Sequence, residues 1–204
     1  MKLYYARSTC SLAVRIALEE AGASFESVAI RLSEASSPDY LALNPWGAVP
    51  LLELDDGQRI GEVSAILQFV AYQYPQAGLT PEIGTVEHFR LLEWLSIISS
   101  ELHKTFPLFH AVFVTEEPVA LELIAQYADK SIRDSLDIIE RKIGSRSFLL
   151  GERYSVADAY LFTVLRWVKP VGLSLDAWPH LHEYFERIRS RPATQRALQV
   201  EKLA

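Results

Sequence analysis

The chain opens as short apolar runs that alternate with helix-spaced stripes. Lys2 to Tyr5 reads as a strand. Leu12, Val14, Ile16, Ala17 and Leu18 then fall at helical spacing, so Ser11 to Ala21 is a predicted helix ended by Gly22. Phe25 to Leu32 reads as a second strand and Ser36 to Leu43 as a short helix. Asn44-Pro45-Trp46-Gly47 has the composition of a turn. The apolar run Val49 to Leu54 is broken by Asp55-Asp56-Gly57, a hairpin signal, and Arg59 to Gly61 returns. Val63 to Tyr74 carries Ile66, Leu67, Phe69, Val70 and Tyr74 at helical spacing until Pro75 stops it. Strands alternating with helices argue for an α/β layer containing a parallel pair, and the late hairpin adds an antiparallel edge.

From Pro75 to Gly84 the chain is rich in Pro, Gly and Thr, and strand signals vanish after it. Long helical patterns follow, with breaks near Pro107, Thr115 to Pro118, Gly144 to Gly151, Gly172 to Pro179 and Arg191-Pro192. The second half is therefore expected to be all α. In the helix expected from Thr85 to about His110, Phe89, Leu92, Leu95, Ile98 and Leu102 form the apolar side. Ser96, Ser99, Ser100 and His103 share another face. A serine stripe leading to a histidine suits a groove that hydrogen-bonds a ligand, and equally suits plain solvent exposure.

The 204 residues are long enough for one large domain or two small ones, and half of them are hydrophobic, which supports a full core. A net charge of −6 with no basic block offers no footprint for nucleic acid. No apolar stretch approaches the ~18 residues of a membrane span, and the N-terminus turns polar too early for a signal peptide. A single cysteine excludes an internal disulfide, which fits a reducing, cytoplasmic compartment. The five histidines form no metal spacing, and no metal is expected.

That one cysteine, Cys10, stands at the start of the first helix, where unpaired N–H groups and the helix dipole favour a thiolate. The plainer reading is a small buried apolar side chain. Val49-Pro50 precedes a strand, and a cis bond there would turn the Val49 backbone outward, although most X–Pro bonds are trans. Glu62 just before Val63 and Ser64 suits a helix start. Read functionally, the carboxylate takes a ligand ammonium and the amides take a ligand carboxylate. Ser155-Val156-Ala157-Asp158 matches a capping box, and its best reading is structural.

Taken in order, several stretches resemble the cytosolic glutathione transferases, most closely the bacterial beta class. They are Met1 to Tyr5, Cys10-Ser11-Leu12, Leu43 to Pro50, Glu62 to Ile66, Glu93-Trp94-Leu95, Ser100 to Lys104 and Val156 to Phe162. The N-terminal Ser8-Thr9-Cys10-Ser11 also resembles the zeta class, which includes maleylacetoacetate isomerases, although Ala13 stands where that class has arginine. The resemblance implies a thioredoxin-like glutathione-binding domain over 1–78, a linker over 79–86 and an all-helical domain over 87–204 lining an electrophile site. It implies a cis bond before Pro50 and conjugation of glutathione, as co-substrate, to small hydrophobic electrophiles by a detoxifying homodimer. Cys10 and His103 would be catalytic. Glutathione would touch Cys10, Val49, Pro50, Glu62, Val63, Ser64, Ser96, Ser100 and His103. Slow thiol–disulfide exchange through Cys10 would accompany conjugation; a glutathione-dependent reductase or isomerase and a non-catalytic ligand-binding member are the alternatives. Two departures stand out: Ser33-Glu34-Ala35 supplies no positive charge for the glycyl carboxylate, and Trp46 replaces the usual lysine.

Overall fold

The computed structural model describes residues 1–113 and 115–203, and the side chains of these except 109–113. The predicted strand and first helix form as β1 (Lys2–Tyr5) and α1 (Ser11–Glu20). β2 (Glu26–Ala29) and α2 (Pro38–Leu43) are shorter than the apolar runs that announced them. β3 (Leu51–Glu53), β4 (Arg59–Gly61) and α3 (Val63–Gln73) complete the α/β part. The sheet order is β2-β1-β3-β4, with β1 parallel to β2 and the other two pairings antiparallel. One parallel pair and an antiparallel hairpin edge is the arrangement that the strand and helix order implied.

The rest is helical: α4 (Val86–Ile97), α5 (Pro118–Ile143), α6 (Val156–Leu165), α7 (Pro179–Arg189) and α8 (Pro192–Val200). α1 and α6 are the core of the molecule. Every residue of α6 is buried, as is every residue of α1 from Ser11 to Leu18, and the two helices pack on each other. An element hydrophobic on all sides must be surrounded, and α1 is covered by α3, α6 and α8.

Two sequence expectations change. α4 does not run on to His110, whose side chain lies outside those described. The helix passes through a π-helical turn at Ile98–Leu102 and continues as a tighter 3-10 stretch over His103–Phe113, which contains Pro107. The apolar face also rotates: Leu91, Trp94, Leu95, Ile98 and Leu102 are buried, whereas Phe89 is 60% exposed. Steps of three residues from Ile98 through Leu95 and Leu92 fall short of the 3.6-residue turn, so by Phe89 they have drifted to the opposite side of α4.

The halves are fastened by a buried pair that the sequence did not suggest. Arg15 Nε donates to Glu201 Oε1 at 3.2 Å, with both side chains almost fully buried. The Arg15 guanidinium also lies over the Tyr5 ring, 4.4 Å from its centre. Glu201 Oε2 accepts from the Ser8 N–H, so the chain's last helix holds the loop that leads to Cys10.

Candidate active site

The loop Ala6–Cys10 is pinned from beneath. The buried Ser11 hydroxyl and the Thr9 hydroxyl both donate to the Ala6 carbonyl, at 3.1 and 2.8 Å. The loop therefore delivers Cys10 to the first position before α1, as the sequence pattern indicated. The thiol donates to the Val49 carbonyl, with sulfur and oxygen 3.3 Å apart. Burial pushes the Cys10 thiol up to about 12. The Cys10 and Ser11 N–H groups pull the other way, and the Glu62 charge adds to the rise. The expected thiolate is thus corrected. A helix start favours charge by a few tenths to one kcal/mol, less than the cost of removing a thiolate from water.

Val49 is presented by a turn built for the purpose. The Asn44 amide and the Tyr40 hydroxyl both donate to the Ala48 carbonyl, at 2.7 and 2.8 Å. Gly47 has φ +59°, and a Cβ there would sit 2.9 Å from the Ala35 carbonyl oxygen, so only glycine fits. The Val49–Pro50 bond is cis. The Val49 carbonyl faces Cys10, as just described.

Glu62 precedes α3 with φ +62°, a region that side chains other than glycine rarely occupy. No side chain caps α3. Its first amides therefore face outward without the usual intrachain acceptor. The Ser64 hydroxyl is engaged elsewhere, donating to the Leu95 carbonyl at 3.5 Å and tying α3 to α4.

Opposite stands His103. Its Nδ1 lies 2.7 Å from the Tyr160 hydroxyl, and its ring packs against Trp167 with centres 5.0 Å apart. Burial lowers the imidazole to about 4, with the nearby Lys104 charge contributing, so the ring is neutral at physiological pH.

These groups line one cleft. A cavity of about 690 Å³ is bounded by Cys10, Val49, Pro50, Glu62, Val63 and His103, with Ser99, Trp46, Arg59 and Lys104 on its walls. A second lobe of about 550 Å³ shares Cys10 and His103 and is walled by Leu32, Phe106, Trp167 and Val171. The first, more polar lobe adds the Glu62 carboxylate and the Arg59 and Lys104 charges to apolar walls, and the second is the more apolar of the two. The arrangement suits a zwitterionic ligand beside a hydrophobic one, with their reacting atoms meeting at Cys10.

Six of the nine side chains predicted to touch the ligand line the polar lobe. Ser64, Ser96 and Ser100 do not. Ser96 and Ser100 are exposed, and the Ser100 hydroxyl is turned back onto the Ser96 carbonyl at 2.9 Å. The π-helical turn keeps Ser99 and His103 on the cleft side and leaves the other two serines outside. Lys104 and Arg59 were missed. Both bring positive charge to the wall of the same lobe.

A family model described as the glutathione S-transferase N-terminal domain matches residues 7–73, and one described as the C-terminal domain matches residues 102–192. Glutathione S-transferase GstA of Escherichia coli O157:H7 is 37% identical over 211 residues, covering all of both chains. The chain belongs to the glutathione S-transferase family. Its fold is the transferase fold, a thioredoxin-like α/β domain followed by an all-α domain. A solved sphingomonad glutathione S-transferase complexed with glutathione superposes with a TM-score of 0.90 at 38% identity, over 100% of both chains. The transferase is also 31% identical to a maleylacetoacetate isomerase of Pseudomonas aeruginosa, over 97% of this chain and 95% of that one.

The capping box of this transferase is present on α6, away from the cleft. Asp158 Oδ2 accepts from the Ser155 N–H at 2.7 Å and from the Ser155 hydroxyl at 2.9 Å. Its Oδ1 accepts from the Leu149 N–H at 2.9 Å and the Tyr184 hydroxyl at 3.0 Å. Burial still raises the Asp158 carboxyl to about 6, against the pull of these donors.

Proposed function

We propose that this transferase joins the sulfur of glutathione to small hydrophobic electrophiles in the manner of the beta class, acting as a cytoplasmic, detoxifying homodimer. The division into 1–78, a linker over 79–86 and a helical domain over 87–204 belongs to the same reading. The observation that carries it is the two-lobed cleft, whose polar and apolar lobes meet at Cys10 and His103. Glu62 takes the γ-glutamyl ammonium, and the amides of Val63 and Ser64 take its carboxylate. The Val49 backbone, next to Pro50, pairs with the cysteinyl unit. Lys104 and Arg59 attract the glycyl carboxylate.

The thiol of glutathione then lies between Cys10 and His103. It is mostly protonated in water, and the thiolate is the nucleophile. N–H donors at the start of α1 and a neutral imidazole N–H stabilise that anion without a competing positive charge. The thiol proton passes to water, and the sulfur anion attacks the electrophile held by Phe106 and Trp167. A carbon–sulfur bond forms as the bond to the leaving group breaks, and that group departs as an anion. Holding both reactants in contact contributes several kcal/mol.

Cys10, a buried neutral thiol, donates a hydrogen bond and is not consumed. Conjugation of glutathione to a chlorinated nitrobenzene tests this. Cys10→Ala is expected to retain turnover within about tenfold, since one neutral hydrogen bond is at stake. Complete loss of conjugation, together with a glutathione mixed disulfide in the unmodified protein, would favour the reductase reading. The likeness to an isomerase supports a second assay, cis–trans isomerisation of an unsaturated diketo acid with catalytic glutathione.

A further inference from the structure

Tyr160 is almost wholly buried in the middle of α6, yet its hydroxyl reaches the cleft wall. The helix could have used phenylalanine there, as it does at Phe162. A buried tyrosine hydroxyl needs a partner, and here the partner is a cleft residue. The hydroxyl lies 2.7 Å from His103 Nδ1, with the two rings edge to face at 89°.

We infer that Tyr160 is a positioning residue for the transferase reaction. Its O–H donates to His103 Nδ1 and locks the imidazole as the Nε2–H tautomer, so that a neutral N–H donor, not a lone pair, faces the glutathione sulfur. This rests on the transferase reading above and extends it to a residue outside the cleft lining.

The direction of each bond follows from the chemistry. Burial holds the Tyr160 phenol above its ordinary range, with the Glu62 charge adding, so the phenol keeps its proton and can donate. Among the described residues the phenol has no other hydrogen-bond partner, so its hydrogen goes to Nδ1. The ring nitrogen that accepts fixes the other as the donor. Among the described residues Nε2 has no hydrogen-bond partner, so a ligand atom can take it. The groups facing the ring are Lys104 from its own element, Tyr160 and Trp167 from the far side, and Cys10 and Glu62 across the cleft. None of them is a base placed to hold a proton on Nδ1.

The tautomer is read directly by nitrogen-15 NMR of histidine-labelled protein. His103 is expected to show a protonated Nε2 and an unprotonated Nδ1 from about pH 5 upward; a protonated Nδ1 would overturn the inference. Tyr160→Phe is expected to lower kcat/KM about tenfold with the KM for glutathione changed less than twofold. The pKa of the bound glutathione thiol, followed by thiolate absorbance, should rise by about one unit, the same factor. His103→Gln places an amide N–H donor where Nε2–H was and needs no tautomer. In that background Tyr160→Phe should add less than twofold. An equal loss in both backgrounds would make Tyr160 a packing residue and sink the proposal. Should Tyr160→Phe not fold, the tautomer spectrum of the unmodified protein decides. An absence of any conjugation by the unmodified protein would overturn the transferase reading, while the spectrum would still judge the tautomer.

Discussion

Two helix starts in this transferase receive a carboxylate, and they use it in opposite ways. At α6, Asp158 is fully buried and accepts from two backbone N–H groups and two hydroxyls of the same chain. At α3, Glu62 is exposed and caps nothing, in a backbone conformation that costs on the order of 1–3 kcal/mol for a side chain other than glycine. A sealed helix start holds the fold. An open, strained one keeps its amides for something that arrives later.

Removing each carboxylate should therefore separate stability from binding. Asp158→Ala leaves the Leu149 and Ser155 N–H groups and the Tyr184 hydroxyl buried without an acceptor. Unpaired buried donors cost about 1–3 kcal/mol each and do not add fully, so about 4 kcal/mol of unfolding free energy should go. Urea denaturation measures this. Glutathione affinity of the fraction still folded should be unchanged; a comparable loss of affinity would erase the distinction between the two helix starts.

The same carboxylate gives the stability curve a pH dependence. Its folded value of about 6 lies above the ordinary aspartate value near 3.8. Between those pH values the folded state binds the proton more tightly, so this contribution is present below about pH 4 and fades as pH rises through 6. Two units correspond to on the order of 3 kcal/mol. Unfolding midpoints of the unmodified protein and Asp158→Asn, compared from pH 4 to 7, should show the former losing ground. Parallel curves would mean that the four donors, not burial, govern the group.

Glu62→Gln keeps the shape and removes the charge. Affinity for glutathione should fall by about tenfold to a hundredfold, the worth of a charge-assisted hydrogen bond, by calorimetric titration. Stability should not fall. Glu62→Gly should match or exceed the unmodified protein in stability, because glycine adopts φ +62° without strain. A destabilised Glu62→Gly variant would show that Glu62 supports the fold after all.

The comparison also explains what the sequence disclosed. The box on α6 was legible because Ser155 and Asp158 lie three residues apart; the Leu149 and Tyr184 donors, farther off in the chain, were not. β1, α1 and the hairpin at Asp55-Asp56-Gly57 were legible for the same reason, since period and turn chemistry are local. Cys10, Val49 and Glu62 were placed by resemblance, because their meeting depends on chain segments about 40 and 50 residues apart. The serine stripe failed where Ile98–Leu102 adopts π-helical pitch, which a fixed period cannot register. The state of Cys10 failed because burial, a property of the whole fold, outweighs the dipole at its own helix start.

The smallest effect expected concerns the positive charge that local reading missed. Lys104 lines the polar lobe next to His103, and Arg59 lines it while paired to Glu53 at 2.9 Å. Of the two, Arg59 is already partly neutralised by its partner, so Lys104 carries more of the field that a second ligand carboxylate meets. An exposed charge pair is worth only about 0.2–1 kcal/mol. Lys104→Gln should therefore weaken glutathione about threefold, and added salt should narrow that gap, because screening shortens the reach of an exposed charge. The substitution also removes the like-charge pressure on His103, so the imidazole should titrate at a higher pH in Lys104→Gln than in the unmodified protein. An affinity loss that salt leaves untouched would place Lys104 in direct, desolvated contact with the ligand. The open helix start at α3 would then have a charged counterpart across the cleft, one that binds by contact, as proposed for Glu62.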